Sequence, residues 1–173
     1  MEHLVINKEE NIKKLTKSYL KFNSRKTVFV FDIHKTALTR EGDIDKEIYK
    51  LIKEILKANY TVLFLSYDGN GKRIPENNER LNAKRLYKPL QKIFIKKRTK
   101  GLVISAISEM IDFDERLNYH VVLIDDKTHN TNDVNDIGDE TLIGYHYHGK
   151  NKDLKNFRKM FSFLKPKHHV YHS

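Results

Sequence analysis

The chain has 173 residues, 39% hydrophobic and 32% charged, with a net charge of +10 and no cysteine. That length fits one domain around one buried core, and the lack of cysteine excludes a disulfide scaffold, thiolate zinc sites and a cysteine nucleophile. The longest apolar runs, such as Val28–Phe31 and Val121–Ile124, are too short to span a bilayer. Met1–Glu10 carries acids where a signal peptide needs a basic start and an apolar stretch. These features predict a soluble, cytoplasmic protein.

Glu9–Phe22 reads as an amphipathic helix, with Ile12, Leu15, Tyr19, Leu20 and Phe22 broadly on one side. Thr27–Phe31 is a continuous β-branched and aromatic run, the pattern of a strand buried on both faces. A polar loop through Thr39–Gly42 leads to a second helix that Asp43 or Asp45 can cap; its stripe is Ile44, Ile48, Leu51, Ile52, Ile55 and Leu56. Thr61–Leu65 is a second strand, followed by the loop Tyr67–Ile74. Within that loop Gly69-Asn70-Gly71-Lys72 lacks the remainder of a P-loop and reads as a turn. Pro75 opens a third helix to about Tyr87, and Lys92–Ile95 is a third strand. Leu102–Leu117 reads as a helix, His120–Ile124 as the fourth strand and Thr141–Tyr145 as the fifth. Asp153–Leu164 closes the pattern as a core-packing helix, and Pro166 starts a basic tail with His168, His169 and His172.

Strands alternating with helices at this spacing predict a three-layer α/β/α sandwich around a mainly parallel, five-stranded, Rossmann-like sheet. Residues 1–173 form one unit, with the core at 27–145 and no linker or repeat. In such sheets ligands bind beyond the carboxyl ends of the strands, where the strand order reverses.

The positive charge is unevenly spread. Lys84 to Lys100 holds eight basic residues and no acid, Gly101 to Gly149 holds ten acids against Arg116 and Lys127, and the segment from Lys150 is basic again. A basic run of this kind is the electrostatic footprint of a nucleic-acid partner, although lysines also simply solvate helix faces.

The first strand ends in Phe31-Asp32-Ile33-His34-Lys35-Thr36, the second in Leu65-Ser66, and the fourth in Ile124-Asp125-Asp126, with Asn130 four residues on. Lys100 precedes the helix after the third strand. Read from the residues alone, this is a carboxylate, a hydroxyl, an ammonium and a carboxylate pair at one sheet edge. Carboxylates from two strands make a hard oxygen site suited to Mg²⁺; a hydroxyl and a lysine beside them can hold a phosphate, and an aspartate there can attack phosphorus. Any one strand-end Asp is more often a cap or turn residue, so the order of the four groups is what carries the reading.

With these residues in place the sequence resembles the haloacid dehalogenase superfamily of phosphohydrolases over about residues 27–145. Asp32-Ile33-His34-Lys35-Thr36 matches that family's Asp-x-Asp-x-Thr except at the third place. Ser66 matches its second motif, and Lys100 its third, with Lys96 and Lys97 as alternatives. Asp125-Asp126-Lys127-Thr128-His129-Asn130 matches its acidic fourth. The resemblance implies that Asp32 is the nucleophile and a Mg²⁺ ligand. It implies further Mg²⁺ contacts from the main-chain carbonyl of His34 and from Asp126, with Asp125 supporting. Ser66 and Lys100 would bind the phosphoryl oxygens, and Thr36 would brace the loop of Asp32.

The family places an acid–base aspartate where this chain has His34. Histidine can do that work, with an ordinary pKa of about 6.5. The readings that follow are a working phosphatase, a slow enzyme or phosphotransferase, and a nucleic-acid-binding module that has lost the chemistry. Neither the gap Thr39–Tyr60 nor the gap Tyr67–Lys92 has room for a cap domain. In this family an open site implies a macromolecular phosphate, and with the basic run it is similar to the phosphatase half of polynucleotide kinase 3′-phosphatases. A small-nucleotide phosphatase is the alternative substrate reading. His146 and His148 share a face, but the sequence supplies no further zinc ligands near them.

Overall fold

The computed structural model describes residues 3–8, 11–23, 27–111 and 119–162. Its elements in chain order are β1 (Leu4–Ile6), α1 (Ile12–Tyr19), β2 (Val28–Phe31), α2 (Lys46–Lys57), β3 (Thr61–Tyr67) and α3 (Ile74–Asn82). They continue as β4 (Gln91–Ile95), α4 (Lys100–Ile111), β5 (Val121–Asp125), α5 (Thr128–Asn135), β6 (Leu142–His146) and α6 (Asn151–Met160). The six strands form one parallel sheet in the order β1-β4-β3-β2-β5-β6.

The apolar strands are continuous because both sheet faces are covered. In β2, Phe29 and Phe31 point into a cluster with Ile48, Leu51 and Ile55 of α2, Leu81 of α3 and Phe157 of α6. Val28 and Val30 point the other way, toward Ile12 of α1, Val103 and Ile107 of α4, and Val134 of α5. This is the three-layer sandwich that the alternation of elements predicts. Of the two candidate caps for α2 the fold uses Asp45, whose Oδ1 accepts from the amides of Glu47 and Ile48 at 3.0 Å each. Its Oδ2 accepts from the Tyr147 hydroxyl at 2.8 Å, tying the helix start to the chain beyond β6.

The sheet has six strands rather than the five expected. The extra one, β1, has only three residues, too few to show a period, and it exists through pairing with the edge of β4: Leu4 lies opposite Ile93 and Ile6 opposite Ile95. A second unexpected element is α5, whose buried residues are Asn130, Thr131 and Val134 and which therefore has no apolar stripe to read. It is held by packing on β6: a Cβ on Gly144 would sit 2.2 Å from the Thr131 carbonyl oxygen, so only glycine admits the helix this close. The Asn135 side chain bonds both the amide and the carbonyl of Gly144.

Helix α3 ends at Asn82 and not at Tyr87; the chain then turns, with Pro89 unable to extend a helix. Helix α1 is shorter than Glu9–Phe22, and residues 9 and 10 lie outside the described residues. So do residues 112–117 of the Leu102–Leu117 segment, residues 163 and 164, and the tail with its three histidines. Between β2 and β3 the chain holds a loop and α2, and between β3 and β4 a turn, α3 and a short connection, so neither segment carries a cap domain. No helix among the described residues is long and apolar enough to cross a membrane.

The basic run does not form one surface. Lys84, Arg85 and Lys88 precede β4, whereas Lys96, Lys97 and Arg98 follow it, so the two groups lie at opposite ends of a strand about 16 Å long. Lys92, inside β4, is 0% exposed. Its ammonium donates to the carbonyls of Tyr87 (2.6 Å), Lys88 (3.1 Å) and Leu90 (2.6 Å), so all three of its donors close the turn before its own strand. Lys100 is buried as well. Two of the eight basic residues are thus interior groups and not part of an exposed basic surface.

Candidate active site

From β2 the chain steps outward to β3 and β4 on one side, then returns to place β5 and β6 on the other. The order reverses between β2 and β5, and the crevice beyond their carboxyl ends is where an open α/β sheet binds ligands. The register sets the level of each group: Phe31 is opposite Ile124 on one side and Phe64 on the other. The Asp32 amide donates to the Ile124 carbonyl at 2.9 Å, bringing Asp32 beside Asp125, with Ser66 on the neighbouring strand.

Asp32, Ser66, Lys100 and Asp125 are all buried at this edge. Lys100, the first residue of α4, donates to Asp32 Oδ1 at 2.7 Å and to Asp125 Oδ2 at 2.6 Å. Lys96 and Lys97 stay outside this cluster, Lys97 exposed. Thr36 Oγ1 donates to Asp32 Oδ2 at 3.2 Å, while the Ala37 amide bonds back to the Asp32 carbonyl. This closes a tight loop in which Lys35 adopts a left-handed φ of 61°, a conformation that costs a non-glycine residue about 1–2 kcal/mol and concentrates at functional loops.

The two members of the acidic pair are differently used. Both oxygens of Asp125 are engaged, Oδ1 by the Lys127 amide at 2.9 Å and Oδ2 by Lys100 and by Asn130 Nδ2 at 3.1 Å. Asp126 is half-buried and opens onto the cleft, its carboxylate oxygen within 4.8 Å of that of Asp32. Its backbone is held from β6, where His146 Nε2 lies 2.8 Å from the Asp126 carbonyl oxygen. The His148 ring sits edge-on to His146, centroids 3.7 Å apart, with Nδ1 3.3 Å from Asp153. The histidine pair thus braces the acidic loop.

Burial raises the Asp32 carboxyl above its ordinary pKa; Lys100 opposes the rise and Asp126 adds to it. Asp125 is raised by burial and then by the charge of Asp32. Burial also disfavours the Lys100 ammonium, but the two carboxylates outweigh that and raise its pKa. The cluster is short of positive charge. Oxygens of Asp32, Asp125 and Asp126 lie within 4.8 Å of one another around a single ammonium, leaving two negative charges in excess. That donor set fits a divalent cation with oxygen preference.

The cleft above the cluster has a volume of about 290 Å³. His34 lines it, half-buried; burial, and then the Arg73 charge, hold its imidazole below its ordinary pKa. The rim carries groups that the motifs do not single out: Lys35, Tyr67, Arg73, Arg98, Lys127 and His129. Tyr67 is the last residue of β3 and the others follow a strand end by a few residues, which is the signal that could have found them. Arg73 is the least apparent, because a turn places it: Asp68 accepts from the amides of Gly71 (2.9 Å) and Arg73 (2.7 Å). Comparison of the chain with protein-family models, with curated proteins and with solved structures gives no match.

Proposed function

We propose that the chain is a Mg²⁺-dependent phosphohydrolase of the haloacid dehalogenase type, acting through an aspartyl phosphate on Asp32. The observation that supports this most is the meeting of Asp32, Ser66, Lys100, Asp125 and Asp126, from four separate segments, at the point where the strand order reverses. Asp32, Asp126 and the main-chain carbonyl of His34 would hold the metal, with Asp125 supporting; bound there, it would neutralise charge on the phosphoryl oxygens.

In this reading an Asp32 carboxylate oxygen attacks phosphorus, the ester P–O bond breaks, and the departing alkoxide takes a proton from His34. Water then attacks the phosphorus of the aspartyl phosphate, His34 takes a proton from that water, and Asp32 is released with inorganic phosphate. Ser66 and Lys100 orient the phosphoryl oxygens, so the protein acts mainly by positioning and electrostatics. The absence of a cap between β2 and β4 leaves the site open to a phosphate borne on a macromolecule, and a nucleic-acid end such as a 3′-phosphate is the finer reading.

The test is phosphate release, with Mg²⁺, from 3′- and 5′-phosphorylated oligonucleotides, mononucleotides and phosphopeptides. Release from at least one, abolished by Asp32→Asn, is expected; silence of the wild type on all of them would overturn the reading. The second reading, a nucleic-acid-binding module without turnover, draws on His34 in place of an acidic residue and predicts salt-sensitive binding with no release.

A further inference from the structure

We infer that the cleft continues outward from Asp32 into a nucleotide subsite, built from Tyr67, Arg73 and Arg98, that takes the unit next to the terminal phosphate of a single-stranded nucleic acid. The inference rests on the reading of Asp32 as the phosphoryl centre.

Charge comes first. Lys35, Arg73, Arg98, Lys100 and Lys127 line the cleft, against Asp32 and Asp126 in its wall and Asp125 beneath. Five cations over three carboxylates leave two positive charges, and a divalent metal makes four. A phosphomonoester dianion neutralises two of these, so two remain for anions that a lone phosphate does not supply. Among the described residues, Lys35, Arg73, Arg98 and Lys127 have no ion-pair partner of their own. A run of phosphodiesters supplies one charge per unit along a line, which suits cations spread around a rim.

The shape of the cleft also suits a base. Tyr67 ends β3, directly after Ser66, and its side of the cleft leaves the residue 40% exposed. The Arg98 guanidinium lies 5.5 Å from the ring centroid. Gly69 gives the phenol its room: a Cβ there would fall 2.6 Å from the Tyr67 hydroxyl. A part-exposed ring with an arginine over one face, one residue from the phosphoryl-binding serine, offers its other face as a stacking platform for a base. The Asp68 turn fixes Arg73 on the same rim, where its charge would meet an adjoining phosphodiester. Stacking requires an unpaired base, hence a single strand.

The test is fluorescence anisotropy of a labelled, 3′-phosphorylated oligothymidine in EDTA, which keeps the ester intact, over a series of salt concentrations. Tyr67→Ala should weaken Kd about ten-fold or more with the salt slope unchanged, and Tyr67→Phe should restore it. Arg73→Gln and Arg98→Gln should each weaken Kd and lower the slope by about 0.7. Lys88→Glu, at the opposite end of β4, should bind as the wild type does. A Kd indifferent to Tyr67→Ala, or a phosphoserine peptide bound as tightly as the oligonucleotide, would overturn the subsite. Release of phosphate, with Mg²⁺, from the same oligonucleotide and from the panel of 5′-phosphorylated oligonucleotides, mononucleotides and phosphopeptides, measured in parallel, separates the two readings. Turnover with an indifferent Kd removes the subsite alone, whereas the expected Kd pattern without turnover supports the subsite and removes the phosphatase.

Discussion

Lys100 Nζ donates to Asp32 Oδ1 across 2.7 Å, although 68 residues separate the two in the chain. The same ammonium reaches Asp125, and all three residues are buried, so it is what allows two carboxylates to share this interior. Lys100→Met should cost about 3–5 kcal/mol of stability at neutral pH, the usual penalty for stranding buried charge. The loss should shrink on acidification, because the carboxylates, already raised above the ordinary range, then protonate. Urea denaturation of wild type and variant at acid and neutral pH measures both effects; equal losses at the two would contradict the argument.

Mg²⁺ and protons should compete for the cluster. Asp32 and Asp125 have raised folded-state pKa values, so the fold holds extra protons above the ordinary carboxylate range and loses stability as pH rises from the unfolded to the folded values. A divalent cation offsets the repulsion that appears there. Mg²⁺ should therefore raise Tm more at about pH 8 than at about pH 5, and Asp126→Asn should remove most of the gain. A Tm that ignores Mg²⁺ at both would eliminate the metal site.

Lys92 gives a prediction of the opposite sign. Burial pulls its ammonium down to about 8, while three carbonyls hold it charged at neutral pH. Its folded pKa lies below the unfolded value, so its destabilising effect is full below about pH 8 and lifts as pH rises toward about 10.5. Lys92→Met strands the carbonyls that the ammonium bonds and should cost about 1–3 kcal/mol. The gap between wild type and variant should widen across that pH window in denaturant titrations, and a constant gap would argue against a charged Lys92.

His34 can be examined through the leaving group. Its ring titrates below the ordinary histidine value, so proton donation to an unactivated alkoxide should weaken as pH climbs past that lowered pKa. Hydrolysis of an alkyl phosphate should follow that decline; p-nitrophenyl phosphate, whose leaving group needs no proton, should not. His34→Ala should slow the alkyl ester by about 10²–10⁴-fold, and His34→Asp should restore turnover with a different pH profile. Parallel profiles for the two esters would assign the proton to another group.

The layers of this fold are legible in the sequence because β2, β3 and β5 are unbroken apolar runs and α2 carries a clear stripe. What escapes is structure made by partners alone. β1 is a strand only because β4 offers it an edge, and α5 is a helix whose inward face carries Asn130 and Thr131 beside the single apolar Val134. The strand-end residues Asp32, Ser66, Asp125 and Asp126 are readable because a parallel sheet delivers strand ends to one place. Lys92 is not, since a lysine in a basic run looks solvated until the turn that consumes its donors is seen. The rim escapes for a related reason: Arg73 reaches the cleft through a turn that Asp68 ties, and no periodicity encodes a turn's direction.

The reversal of strand order between β2 and β5 also governs assembly in time. Val28 pairs with Thr61, 33 residues on, and with Val121, 93 residues on. On chain statistics the longer closure costs about 0.9 kcal/mol more than the shorter one. The β2–β3 half, carrying Asp32 and Ser66, can therefore collapse before β5 arrives with Asp125 and Asp126. The acidic cluster closes with the most distant pairing in the sheet, so any signal that depends on it, such as a cation-induced gain in stability, reports completion of the whole fold and not of a folded half.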